Sequence, residues 1–208
     1  APIASGSYEW ENKLENGYWT YSLEDIHNGV KSCYADLRND VSEKYGIKLA
    51  LHPDDPPHPI FGLPRILSNA ADIRQMIKEC PSKHVGLTLC TGSLGGDKSN
   101  DAVQIMKKFG KRVYFCHFRN LEYTDDKVFH ESQCPLVGQT DIPALFEAFL
   151  KEEKRRGEKI VVRPDHGRFL EIDKSRKCYC GYSYGGRLIG LAELRGLEIG
   201  LKYAKKGL

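Results

Sequence analysis

Val161-Val162-Arg163-Pro164-Asp165-His166-Gly167-Arg168 is the stretch whose reading decides the fold class. A short apolar run stops at a proline, and a carboxylate and an imidazole follow at once. The same arrangement occurs three times upstream. Leu49-Ala50-Leu51 runs into His52, Leu87-Thr88-Leu89 into Cys90, and Tyr114-Phe115-Cys116 into His117. Each is a β-type run ending in a residue able to bind metal. In parallel α/β folds the carboxyl ends of the strands meet the ligand, because loops and not packed side chains lie there. Four such ends carrying His52, Cys90, His117 and Asp165 predict the ligand set of one divalent cation. Singly, each has an ordinary explanation: a hydrogen-bonded structural histidine, a cysteine buried as a small hydrophobe, an aspartate capping a helix. Their recurrence at the same place in successive units carries the inference.

The segments between these runs read as helices. Ser22 caps a helix with Glu24 and Asp25 in its first turn, and Ile26, Val30, Cys33, Leu37 and Val41 keep a helical period up to Gly46. Strands are expected at 47–52, 85–90, 112–118 and 159–163. Helices are expected from Asn69 or Ser68 to Cys80, from Asn100 to Phe109, from Asp141 to Arg156 and from Arg187 to Lys205. Alternating strands and helices mean a parallel sheet with right-handed crossovers. Two loops stand out. Pro53 to Arg65 is stiffened by five prolines, which suits either a rigid crossover or a preorganised ligand loop. Thr91-Gly92-Ser93-Leu94-Gly95-Gly96 reads as a Gly/Ser turn able to cradle an anion, although it has neither Walker nor dinucleotide spacing. Arg119 follows the third strand, where its fork could clamp a carboxylate.

With 31 basic and 28 acidic residues, the charge balance is too even to point to nucleic acid, and the Lys154-Arg155-Arg156 cluster reads as a solvated helix face. No apolar run reaches the ~20 residues that span a bilayer. No signal-peptide layout is expected at the N-terminus, and Ala1 in place of an initiator methionine reads as trimming or removal of an upstream segment. Seven cysteines, irregularly spaced, argue against a secreted disulfide framework and for the reducing cytoplasm. Cys178-Tyr179-Cys180 has no partner pair to complete a zinc site. Residues 1–21 show no period and read as an arm or remnant, with one metal-binding unit over 22–208.

At these residues the chain resembles the mannonate dehydratases of hexuronate catabolism. The resemblance runs from about Leu23 to about Lys202. It rests on His52-Pro53-Asp54-Asp55-Pro56-Pro57, Ile60-Phe61-Gly62-Leu63-Pro64-Arg65, Cys90-Thr91-Gly92-Ser93, His117-Phe118-Arg119, Arg163-Pro164-Asp165-His166-Gly167, Gly181-Tyr182-Ser183 and Gly190-Leu191-Ala192-Glu193-Leu194-Arg195-Gly196. It implies an α/β fold of the TIM-type (β/α) barrel class, with this chain covering about the C-terminal four strand–helix units. It also implies Mn²⁺ or Fe²⁺ as cofactor and conversion of D-mannonate to 2-keto-3-deoxy-D-gluconate. Matched motif by motif, the metal ligands are His52, Cys90, His117 and Asp165, and the catalytic pair is His166 and Tyr182. Asp55 and Arg119 are candidates for holding the substrate carboxylate and hydroxyls. Without the resemblance, Tyr182 reads as a packed aromatic. The cysteine donor adds Zn²⁺ to the metals the set suits.

The chain departs from the family at two places: Cys134 stands where a second histidine is usual, and Gly138-Gln139 replaces Gly-Asp. The family is also longer, with further strand–helix units upstream. Four open parallel strands leave two unpaired edges, which soluble proteins cover. Either the chain is a fragment that lacks an N-terminal half-barrel, or it pairs with another copy as a homo-oligomer or with another chain, or it takes a different closure. Two other functions fit the pattern: a metal-dependent sugar isomerase or epimerase, and a non-catalytic half-barrel that binds metal or a partner.

Overall fold

A computed structural model describes residues 23–37, 41–60, 64–125, 128–179 and 181–205. The arm at 1–21, the Ser22 cap, the Phe61-Gly62-Leu63 part of the proline loop and Cys180 lie outside the described residues.

The architecture is α/β. A parallel sheet of four strands takes the order β1 (Leu49–Leu51), β2 (Val85–Cys90), β3 (Val113–His117) and, last at the far edge, Val161–Arg163. Spatial order follows chain order throughout. Helix α1 (Leu23–Leu37) and the single turn α2 (Glu43–Tyr45) precede the sheet. Helix α3 (Ala70–Glu79) follows β1, the short α4 (Thr91–Gly95) and α5 (Ala102–Phe109) follow β2, and a hairpin of β4 (Leu121–Tyr123) and β5 (Phe129–Glu131) follows β3. Then come α6 (Ile142–Arg156), the edge strand Val161–Arg163 as β6, and α7 (Tyr184–Ala204).

All six residues of β2 are buried. It has β1 on one side and β3 on the other, and a strand covered on both faces reads as a continuous apolar run. Between Leu87 and Thr88 the register with β3 slips by one residue, so that Leu87 faces Val113 while Cys90 faces His117. Tyr114 is the extra residue. Its ring lies over Gly86, where a Cβ would sit 2.5 Å from Tyr114 Cε2. Phe118 is fully buried against Phe146 and Phe149 of α6, with ring centroids 5.0 and 5.6 Å apart. Leu194 of α7 joins the same core.

The helix caps fall where the side chains direct them. Asn69 accepts from Ala71 and Asp72 N–H, Asp101 from Gln104, and Asp141 from Ala144, with Pro143 in the first turn of α6. Gly157 closes α6 at φ 67°, a left-handed conformation that favours glycine.

Two expectations are corrected and one element was missed. Within the expected helix up to Gly46, residues 23–37 and 41–45 are helical and Gly46 closes the latter at φ 69°, with 38–40 outside the described residues. The Gly/Ser turn at Thr91–Gly96 is buried helix α4. The last helix starts at Tyr184, because Ser183 accepts from Gly186 N–H and caps it there. The β4–β5 hairpin was missed, since three-residue strands give too few alternations to register as a period.

Candidate metal centre and proton-transfer site

The sheet brings the predicted donors together. Cys90 ends β2, His117 ends β3, His52 directly follows β1, and Asp165 lies two residues past β6. One donor atom each from His52, Cys90 and His117 lies within 4.8 Å of the others. His52 Nε2 is 3.2 Å from His117 Nδ1, which is 3.4 Å from Asp165 Oδ1. Cys90 Sγ is 3.8 Å from Asp165 Oδ2. Donors about 2.1–2.3 Å from one cation stand about 3.0–3.8 Å apart at octahedral or tetrahedral angles. The His52–His117, His117–Asp165 and Cys90–Asp165 separations fall in this range, the last two through different Asp165 oxygens, and two imidazoles, a thiol and a carboxylate are a donor set that fits a divalent metal.

Neighbours orient these donors. His52 Nδ1 lies 2.7 Å from the Pro53 carbonyl, so its N–H donates there and the lone pair stays on Nε2, facing the cluster. The Ser93 hydroxyl donates to Cys90 Sγ at 3.1 Å. Thr91 Oγ1 accepts from Arg119 N–H at 3.0 Å and contacts the carbonyls of His117 and Arg119. That side chain ties the end of β2 to the end of β3. Asp165 takes a positive φ of 64°, which aspartate tolerates better than most residues. Burial alone would raise its carboxyl, but His117, His166, Arg119 and Arg163 hold it below the usual aspartate value.

Arg119 is 6% exposed and sits between three carboxylates. Its Nη2 donates to Asp55 Oδ2 at 2.8 Å, Nη1 lies 3.4 Å from Asp165 Oδ2, and Nε lies 3.4 Å from Glu131 Oε1. Burial opposes its charge, yet Glu131, Cys90, Asp55 and Asp165 raise its pKa further, so it stays a guanidinium. Asp55 is positioned by the proline loop, in which Asp54 accepts from Ile66 and Leu67 N–H at 2.8 and 2.7 Å. The loop therefore holds polar groups in place. The space expected for an anion at Gly92 is filled from within the chain: a Cβ there would lie 1.7 Å from Arg119 Nε.

His166 and Tyr182 also converge, with ring centroids 5.2 Å apart. The backbone enforces this. Gly167 N–H donates to Gly181 O at 2.8 Å, and Gly167 and Tyr182 form an isolated parallel bridge. Added Cβ atoms would lie 2.4 Å from Arg187 N at Gly167 and 2.1 Å from Arg168 O at Gly186. The Asp-His-Gly and Gly-Tyr-Ser motifs thus pack backbone to backbone.

A cleft of about 380 Å³ opens beside the donors, lined by Arg119, Glu131, Cys134, His166, Arg168 and Glu193 among others. Cys134, the departure noted above, faces this cleft, whereas Gln139 is held by its N–H donating to Leu121 O at 2.7 Å. Sequence reasoning missed Glu131. It lies 2.7 Å from His166 Nδ1 as well as beside Arg119. The signal that could have found it was the hairpin that presents it.

A family model described as D-mannonate dehydratase (UxuA) matches residues 14–207. The chain belongs to the D-mannonate dehydratase family. Among the family's curated members, the mannonate dehydratase of Chromohalobacter salexigens is 44% identical over 167 residues, covering 78% of this chain and 42% of the relative. That of Saccharophagus degradans is 45% identical over 206 residues, covering 88% and 51%. The chain thus spans about half the length of the curated relatives it matches. The crystal structure of mannonate dehydratase from Streptococcus suis serotype 2 superposes with a TM-score of 0.81 at 30% identity, over 92% of this chain and 54% of the other. A xylose isomerase domain protein from Planctomyces limnophilus superposes at 0.57 with 13% identity, over 88% and 56%, a likeness of fold alone.

Proposed function

We propose that this chain carries the metal-binding and proton-transfer part of a D-mannonate dehydratase, which removes water from D-mannonate to give 2-keto-3-deoxy-D-gluconate. Convergence of His52, Cys90 and His117 within 4.8 Å of one another, with Asp165 against His117 and Cys90 and a guanidinium and a His–Tyr pair beside them, carries this reading. The four donors would hold Mn²⁺ or Fe²⁺, with Zn²⁺ as the alternative a thiolate favours. When bound, the ion supplies Lewis-acid stabilisation of the negative charge that builds on a hydroxy-acid substrate as its C2 proton leaves.

The chain's own groups do the rest. Arg119, already charged and buried, binds the substrate carboxylate, while Asp55 accepts from a substrate hydroxyl. His166 and Tyr182 divide two proton transfers. One takes the C2 proton, and the other gives a proton to the C3 hydroxyl, which departs as water. The C–H electron pair becomes the C2=C3 double bond, and the resulting enol tautomerises to the keto acid.

The same reading makes the sheet one side of a TIM-type (β/α) barrel, its C-terminal four strand–helix units. Four parallel strands in chain order support it, as do relatives of about twice the length. Among the described residues β1 and β6 each have one strand neighbour, so the rest of the barrel, or another copy, would cover those edges. Among the described residues no helix is long and apolar enough to cross a membrane.

The deciding experiment strips the protein with chelator, adds back Mn²⁺, Fe²⁺ or Zn²⁺, and assays D-mannonate for a keto-deoxy acid. Formation of an isomer of mannonate, or no product with any metal, would remove the dehydratase reading for this chain.

A further inference from the structure

We infer that Glu131 is the positioning residue for His166: it fixes the imidazole with its proton on Nδ1 and leaves Nε2 to exchange a proton with substrate. The inference rests on the dehydratase reading for what Nε2 does, but the placement stands on geometry alone.

Glu131 selects the tautomer. Its Oε1 lies 2.7 Å from His166 Nδ1, and a carboxylate can only accept, so the proton is on Nδ1 and Nε2 keeps the lone pair. Arg119 Nη1 lies 3.4 Å from Nδ1 and 3.2 Å from Nε2, over the ring rather than at one nitrogen, and Asp165 Oδ2 is 3.8 Å from Nε2, so the 2.7 Å contact with Glu131 is the shortest polar contact of the imidazole. A base held by a third group in this way is the arrangement that activates proton transfer in many unrelated sites.

Glu131 is also aimed. It ends β5 opposite Leu121, and the next residue, Ser132, donates its N–H to Asn120 O at 2.9 Å. The hairpin is pinned in turn: Tyr123 hydroxyl donates to Gly95 O at 2.6 Å, and Lys98 Nζ sits 4.6 Å from the Tyr123 ring centroid. Glu131 is 39% exposed, so its aim comes from the anchored hairpin and from reaching both His166 and Arg119, and not from burial.

The test compares Glu131→Gln and Glu131→Asp with wild type in the metal-loaded protein. A glutamine amide can donate to Nδ1 and favour the opposite tautomer. Glu131→Gln should therefore lower kcat by about 10²–10⁴-fold, the usual weight of a positioned acid–base group, with KM within about threefold. Glu131→Asp, which keeps the carboxylate, should recover part of that loss. An independent readout is the ¹⁵N spectrum of the imidazoles in the metal-free or zinc-loaded protein at about pH 8.5, well above the ordinary histidine value of about 6.5. His166 is assigned by its loss in His166→Asn. Wild type should show the Nδ1–H form and Glu131→Gln should not. An Nε2–H form in wild type, or an unchanged tautomer and kcat in Glu131→Gln, overturns the inference. If wild type fails to dehydrate mannonate with any metal, the dehydratase reading falls and the spectrum alone decides the placement of Glu131.

Discussion

Gly92→Ala is the substitution on which two physical arguments disagree in sign. Gly92 lies in helix α4, and alanine is favoured over glycine in a helix by about 0.8–1 kcal/mol. On propensity alone the variant is more stable. Yet the added Cβ would sit 1.7 Å from Arg119 Nε, 2.4 Å from its Cγ and 2.5 Å from its Cδ. Ordinary contact needs about 3.5 Å, so the arginine stem must retreat by nearly 2 Å. A shift of that size breaks the 2.8 Å bond to Asp55 and carries Nη1 away from Asp165 and His166. A lost charge-assisted hydrogen bond costs about 1.5–3 kcal/mol, and overpacking adds about 1–3 kcal/mol. After the helix gain is subtracted, the net loss is about 1.5–5 kcal/mol, a fall in Tm of roughly 3–20 °C. Displacing the proposed carboxylate clamp by more than 1 Å should also cut kcat/KM for D-mannonate at least about 100-fold. Thermal unfolding and steady-state kinetics measure both. Gly95→Ala is the control in the same helix, since its Cβ would meet Thr140 Oγ1 at 3.3 Å, and it should stay close to wild type. If Gly92→Ala is as stable and as active as wild type, Arg119 does not occupy that space and the account of the site is wrong.

Other outcomes follow from the same geometry. Cys90→Ser should weaken Zn²⁺ and Fe²⁺ binding by more than about tenfold and Mn²⁺ less, because the change replaces the soft donor, and metal titration reads this directly. Chelation should lower Tm, since a ligand present at 100 times its Kd stabilises the fold by about 2.7 kcal/mol, with recovery on add-back. Leu194→Ala should destabilise by about 2–5 kcal/mol in denaturant melts, because the side chain is 2% exposed and docks α7 on the core. Asp173 is held below the usual aspartate value by the Ser183 hydroxyl first and the Leu170 N–H second, with burial opposing. A depressed folded value means its contribution is present above the unfolded value of about 3.9 and is lost as pH falls through the lower folded one. Asp173→Asn should accordingly be less stable than wild type at neutral pH, with the gap closing on acidification below about pH 4.

How much of this was legible in the sequence depended on the range of the interaction. The six-residue run of β2 and the helix starts at Asn69 and Asp141 are local patterns, and each led to an element close to its observed bounds. The proximity of the four candidate donors was readable because parallel strands place their carboxyl ends side by side, so position along the chain stood in for position in space. The hairpin was not readable, and Glu131 went with it. Glu131 meets His166 across 35 residues, and no local pattern records that meeting.

Gly92 shows why the remainder was illegible and how it becomes legible in hindsight. Read along the chain, glycine after Cys90-Thr91 suggested a Gly/Ser turn able to cradle an anion. In space it is the absence of a side chain that Arg119, 27 positions later, requires. The arginine passes over the bare Cα to reach Asp55, Glu131 and Asp165, and Thr91 accepts the same arginine's backbone N–H. Cys-Thr-Gly-Ser and His-Phe-Arg are therefore halves of one contact. Cys90 and His117 are candidate donors, Thr91 ties the two strand ends together, and Gly92 admits the guanidinium, one of the cations that hold the Asp165 carboxyl below the usual aspartate value. A substitution in either motif that spares the metal donors should still disturb the other motif, because what they share is a volume and not a sequence neighbourhood.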